Sequence, residues 1–173
     1  MSINLEQNDF IADDGLVKMD GGKAILPNVI RAVEIARQRG ILVVWVVREH
    51  NPLGRDVELF RRHQYSPGKV GPAVKGSRGA ELVDGLVIRE GDYKLVRHAS
   101  VPSSLHTSTH SFKVQGLITA FDAIALDYQS VTVVVDATAA ATPDVHAANI
   151  VDMKNFGIAT PTLQEWSERV ADA

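Results

Sequence analysis

Gly40-Ile41-Leu42-Val43-Val44-Trp45-Val46-Val47 is the stretch that decides the fold class. A continuous, largely β-branched run with no polar face suits a strand buried on both sides, as in a parallel sheet. Upstream, Ile25, Val29, Ile30, Val33 and Ala36 recur at helical spacing, and Pro27 can occupy a first turn, where a missing N–H costs nothing. Arg37 and Arg39 place cations at the helix's negative end, and Gly40 is a C-terminal stop. Helix, glycine, buried strand is the grammar of a parallel α/β sheet.

The same grammar returns near the C-terminus. Val131-Thr132-Val133-Val134-Val135 reads as a buried strand. Thr142-Pro143-Asp144 then opens a helix with a cap, a proline in the first turn and an acid beside it. Val145, Ala148, Ile150 and Met153 supply its apolar face and Gly157 ends it. Thr162 and Glu165 form a capping box for a short terminal helix through Trp166. Residues 51–79 read as a long loop with one helical turn around Glu58-Leu59-Phe60, and Tyr93-Lys94-Leu95-Val96 as a short strand. Residues 99–119 are rich in Ser, Thr and His and keep neither period.

Composition excludes more than it assigns. The chain has 173 residues, which fits one globular domain. A net charge of −3 gives no field to gather nucleic acid or anionic membrane. Arg61-Arg62 with Asp56 and Glu58 nearby reads as a solvated helix face. No apolar run approaches the ~20 residues of a membrane span, and no signal peptide opens the chain. The absence of cysteine removes disulfides, thiolate zinc sites and thiol nucleophiles together. Gly21-Gly22-Lys23 fails the spacing of a phosphate loop and reads as a helix entry. His106 and His110 stand four apart, but no third metal ligand is placed, and His146 reads as a satisfied polar residue. We therefore expect no cofactor and no metal. Asp9, Glu49, Asp92 and Asp136 are the carboxylates best placed for chemistry, close to predicted strands.

Gln7-Asn8-Asp9-Phe10 resembles the Q-N-D-F tetrad of the isochorismatase-like cysteine hydrolases, which include nicotinamidases and related amidases. Gly40 through His50 is similar to that family's second strand and following loop. Asp92-Tyr93-Lys94-Leu95-Val96 resembles its lysine-bearing strand, and Asp136 through Pro143 with Val145-His146 resembles its late strand-to-helix turn. The likeness spans about residues 7–97 and 121–168 and leans to the plant-type branch. It implies a doubly wound (Rossmann-like) α/β parallel sheet with flanking helices, one domain over residues 1–173, and hydrolysis of a small amide or related substrate; the composition is compatible with a cytoplasmic setting.

The resemblance also implies an Asp–Lys–Cys triad, and here each member fails. The aspartate position, two residues before Gln7, is Leu5. The lysine position, directly after Val96, is Arg97, whose planar fork and high pKa do not share a proton as a lysine can. The cysteine, with its strand and oxyanion turn, has no counterpart. We expect an impaired or inactive hydrolase whose surviving site candidates are Gln7, Asp9, Arg48, Glu49 and His50. The alternative is a non-catalytic module that binds a small molecule or a partner through the loop carrying Arg48, Glu49, His50, Arg61 and Arg62. Missing or shortened central strands would also expose sheet edges. Marginal stability, a homo-oligomer, or a hetero-oligomer with an intact homologue would then follow.

A frameshift accounts for the anomalous stretch at 98–120. With one base lost in the lysine codon, family text Val-Lys-Thr-Cys-Phe-Ser-Ala can read Val96-Arg97-His98-Ala99-Ser100-Val101-Pro102. Ser103 through Ile118 back-translates out of frame to text similar to F-F-A-P-H-L-H-S-F-L-Q-G-A-G and an aliphatic residue. We read 97–119 as such a passage, rejoined near Ala120 with the cysteine segment removed, so that the chain is a splice or frame-shifted product. Sequencing the gene and transcript from Val96 to Phe121 should reveal the alternative join; an intact frame with none would sink the reading.

Overall fold

The protein is described by a computed structural model over residues 1–4, 6–66, 68–97 and 115–171, the side chains of 115–118 excepted. It divides into two compact units, Met1–Lys18 with Gly40–Val101, and Met19–Arg39 with Pro102–Ala173. Leu5 and the stretch 98–114, including His106 and His110, lie outside the described residues.

In the first unit, strands β1 (Ser2–Asn4), β2 (Val44–Arg48) and β3 (Tyr93–Arg97) form a parallel sheet in the order β1-β2-β3. The register pairs Ile3 with Trp45 and Val46 with Leu95. Trp45 and Val47 are buried, as the continuous apolar run predicts. The run starts later than expected, however. Leu42 is 58% exposed, and the strand proper begins at Val44. Leu42 precedes the ladder: its carbonyl accepts from the Met1 ammonium, and only from Val44 onward does β2 pair on both sides. β3 pairs only with β2 among the described residues and leaves Tyr93 and Leu95 exposed.

Side chains extend this short sheet. α1 (Asn8–Ile11) follows β1, and Gln7 just before it is fully buried. The Gln7 amide donates to the Arg48 carbonyl at 2.7 Å and the Ala80 carbonyl at 2.6 Å, and its Oε1 accepts from the Arg48 N–H at 2.7 Å. It thereby does for the end of β2 what another strand would do. Two residues on, Asp9 accepts from the Ala73 N–H at 2.6 Å and the Leu16 N–H at 3.3 Å. Ala73 has φ +52, a left-handed conformation that Asp9 helps hold. A Cβ at Gly79 would stand 2.0 Å from Asp9 Oδ2, so only glycine lets these segments meet. Short 3₁₀ turns at Leu59–Gln64 and Arg78–Ala80 punctuate the intervening loop.

In the second unit, α2 (Gly22–Gln38) buries Val29, Ala32, Val33, Ile35 and Ala36. It starts earlier than expected, at the Gly21-Gly22 turn, so Pro27 falls in its second turn. Gly40 adopts φ +66 just beyond its end. α3 (Gln115–Ala125) packs its Ala120 against Met153 and Ile158, and the Phe121 ring meets Phe156 at a tilt, with centroids 4.7 Å apart. α4 (Pro143–Asn155) has the expected cap, with Thr142 Oγ1 accepting from the Val145 N–H. Of its expected apolar face only Met153 is buried; Ala148 is exposed. α5 (Leu163–Ala171) opens on the capping box, Glu165 accepting from the Thr162 N–H at 2.8 Å and Thr162 from the Glu165 N–H at 3.3 Å.

One expected strand is corrected. Residues 131–135 make a single parallel bridge, from Thr132 to Ala159, are half-buried except for the exposed Thr132, and end in a 3₁₀ turn at Val135–Ala137. An apolar β-branched run becomes a buried strand only with neighbours along both edges. The described residues supply one, the 159–161 segment.

Two consequences for stability follow. Gln7→Leu strands two carbonyls and one N–H inside the protein, at about 1–3 kcal/mol for each buried group left unmade; urea denaturation should show a loss of about 3 kcal/mol or more. Glu6, 8% exposed, has one carboxylate oxygen without a hydrogen-bond partner, and burial pushes its pKa up to about 8 from 4.5. The folded chain thus binds this proton more tightly than the unfolded chain, and the contribution to stability is full below pH 4.5 and lost as pH rises through 8. His50 works in the opposite sense, its pKa lowered to about 4 from 6.5, and gives stability present above 6.5 that is lost as pH falls through 4. The stability of wild type relative to Glu6→Gln should therefore fall by a few kcal/mol between pH 5 and 8, at most about 1.4 kcal/mol per pH unit. Parallel stability curves for the two proteins would count against this account.

Candidate functional site

Ligands gather at the carboxyl ends of strands in open α/β sheets, and here those ends carry Arg48 and Arg97. The two are register partners on adjacent parallel strands, so they emerge on the same face. Arg48 is 3% exposed and Arg97 half-buried. Burial first, and then the charge of Arg61, lowers the Arg48 pKa to about 10; Arg97 acts in the same direction and Glu58 against it. Arg48 is still a cation at neutral pH.

His50 lies two residues beyond. Its backbone bridges to Val74, donating to the Ala73 carbonyl at 2.8 Å and accepting from the Lys75 N–H at 2.9 Å. Its ring is 1% exposed and meets Tyr65 edge-on at 5.8 Å. Neither ring nitrogen has a hydrogen-bond partner among the described residues, since Asp56 Oδ1, at 3.8 Å from Nδ1, is beyond bonding distance. Burial and then the neighbouring Arg48 hold the imidazole neutral, against the pull of Asp56. Tyr65 donates from its hydroxyl to the Pro72 carbonyl at 2.6 Å, and burial raises its pKa to about 12.

The remaining predicted residues fall into different roles. Arg61 is not on a solvated face: it is 2% exposed and ion-paired with Glu58, and only Arg62 of that pair faces solvent. The 3₁₀ turn at 59–64 tucks one arginine inward and turns the next out. Gln7 and Asp9 position β2 and the 71–79 loop through backbone bonds. Glu49 pairs with Lys94, away from the Arg48 face. Asp92 accepts from the Trp45 indole at 2.8 Å and the Arg89 N–H at 3.0 Å, and Asp136 from the Leu163 N–H at 2.7 Å. His146 contacts the Val135 carbonyl at 3.2 Å. All four carboxylates are thus engaged in structure. Sequence reasoning missed Tyr65 as the wall beside His50 and Glu6 as a buried acid; neither carries a local signal.

What the cluster can do chemically is limited. It holds cations and a neutral imidazole, with no nucleophilic thiol in the chain and a guanidinium where a proton-sharing amine is needed. Among the described residues no three His, Asp or Glu side chains converge as metal ligands would.

Comparison with known proteins agrees with this architecture. The isochorismatase domain model matches residues 6–107. An Arabidopsis thaliana protein described as a "probable inactive nicotinamidase" is 58% identical, over 95% of this chain and 92% of its own length. The crystal structure of an isochorismatase family protein from Desulfovibrio vulgaris superposes with a TM-score of 0.82 at 31% identity, covering 98% of this chain and 96% of that one. Nicotinamidase from Bacillus subtilis shares the fold at 16% identity, with a TM-score of 0.70 over 92% and 97% of the two chains. The α/β chain, whose described residues form a three-stranded parallel sheet and whose sequence has no cysteine, belongs to the isochorismatase family.

Proposed function

We propose that the chain is a catalytically silent family member that keeps the ligand end of its sheet and binds a small molecule there without converting it. The observation that carries the reading is Arg97 at the end of β3, beside Arg48, in a chain with no cysteine. Acyl transfer by this family's chemistry needs a thiolate and a group that can pass its proton. A guanidinium stays charged and passes none. The Arabidopsis relative's description as inactive supports the same reading. No helix among the described residues is long and apolar enough to cross a membrane; a cytoplasmic location is part of the same proposal.

A second reading rests on β3. Among the described residues β3 pairs along one edge only and exposes Tyr93 and Leu95, which would offer a surface to another chain, a second copy or an intact homologue.

Purified protein incubated with nicotinamide and other small amides should release no ammonia above the no-enzyme control. Any turnover that iodoacetamide abolishes comes from a contaminant, because this chain has no thiol. Turnover that survives iodoacetamide and follows the protein through purification would overturn the silent reading.

A further inference from the structure

We propose that the 3₁₀ turn Leu59–Gln64 is a docking tip for an anionic lipid bilayer, with Leu59 and Phe60 entering the headgroup layer and the loop's exposed cations meeting the lipid anions.

The first argument is that the turn is inverted. A 3₁₀ helix repeats every three residues, so its side chains fall into three rows: Leu59 with Arg62, Phe60 with His63, and Arg61 with Gln64. Leu59 is 78% exposed and Phe60 56%, and Arg62 and His63 in their rows are exposed as well. The inward row is the polar one, with Arg61 buried and Gln64 half-buried. A turn rotated by one row would bury Phe60 and leave Arg61 in water, which solvation favours. The Glu58 pair with Arg61 holds the opposite arrangement, and the Arg61 guanidinium lies 5.4 Å from the centre of the Phe60 ring.

The second argument is that the tip stands on a fixed base. Tyr65, directly after the turn, packs with Val57 and Val74 and donates to the Pro72 carbonyl. Backbone bonds from Arg61 to Glu58 and from Tyr65 to Arg62 close the turn itself. A surface held in this way has little conformational freedom left to lose on docking.

The third argument is charge. The chain's total of −3 conceals an uneven distribution. Six cations against Asp56 and Glu58 give residues 51–80 a net charge of +4, which leaves −7 on the rest. Arg55, Arg62 and Lys75 are exposed, whereas Asp56 and Glu58 are half-buried and turned to the Asn51 N–H and to Arg61. Such an asymmetry directs this loop toward an anionic surface and the remainder away from it.

Area and symmetry choose the occupant. Leu59 and Phe60 offer on the order of 250 Å² of apolar surface, far below the about 800 Å² that each partner gives to a stable protein interface. Two copies meeting through this loop about a twofold axis would bring like charges together, and a head-to-tail contact with the acidic remainder would not close. A bilayer asks for neither a matching contour nor a large area; a few apolar side chains and a basic patch act there as two weak signals in concert.

The test is flotation of the intact protein with vesicles of phosphatidylcholine and phosphatidylserine, two parts to one, against vesicles of phosphatidylcholine alone. Binding to the anionic vesicles should be at least tenfold stronger. The double variants Leu59→Ser/Phe60→Ser and Arg55→Gln/Arg62→Gln should each lose tenfold or more, with circular dichroism to check that they fold. Phe60→Trp gives an independent readout that leaves the tip apolar: its emission should shift to the blue on the anionic vesicles, beyond any change in the parent's two tryptophans. Equal binding to both vesicle types, undiminished binding of the serine variant, or no emission shift in Phe60→Trp would each overturn the proposal. So would a dimer in sedimentation equilibrium that the serine variant dissolves, in a protein that does not float; the tip would then belong to a second copy.

Discussion

The Gln7 side chain holds together more of the first unit than any ladder hydrogen bond does. β1 has three residues and can contribute few rungs. Beyond it, the buried Gln7 amide supplies both an N–H and a carbonyl to the Arg48 peptide, and a second N–H to Ala80. That fixes where β2 ends and therefore where Arg48, Glu49 and His50 begin. The loop returning at Ala73 and Val74 pairs with His50, and Asp9, on the short helix that Gln7 precedes, ties that loop from the other side. A turn of four helical residues thus pins segments far away in sequence. Each pin is a buried polar group satisfied by backbone, the arrangement in which a hydrogen bond is most costly to lose.

That frame lets the protein tolerate an expensive set of charges. Two unit charges of like sign at 5 Å repel by about 3 kcal/mol at an effective dielectric of 20. Arg48 feels both Arg61 and Arg97, and its lowered pKa is the record of that cost together with burial. Part of it is offset locally, since Glu58 neutralises Arg61 and raises the Arg48 pKa. His50 escapes by remaining neutral. The imidazole contributes no charge of its own at neutral pH, which leaves the positive charge at this end of the sheet to the guanidiniums.

Local chemistry was legible in the sequence and tertiary placement was not. The Thr142 cap, the Thr162–Glu165 box and the Gly40 stop depend on neighbours a few residues away, and each appears in the structure. The strand expected at 131–135 depends on partners that the described residues supply on one side only. Arg61 looked solvated because Asp56 and Glu58 stand beside it; it is buried because a 3₁₀ turn directs it inward, where Glu58 meets it. Glu6 precedes the tetrad with nothing to mark it as the acid that loses solvent. Of the triad positions, Arg97 is placed by β3 beside Arg48, a neighbour that sequence spacing could not supply, and Leu5 lies outside the described residues.

The contrast between positions 48 and 97 bears on what the fold still does. Had the sheet end only lost its chemistry, a neutral side chain at 97 would relieve Arg48 of a repelling neighbour and lower the cost of burying it. The chain instead carries a permanent cation there, half-buried, on the face it shares with Arg48. Glu58 offsets part of that repulsion at Arg48. Loss of the nucleophile and retention of charge at the sheet end are compatible because they concern different atoms: one requires a proton that moves, the other a charge that does not.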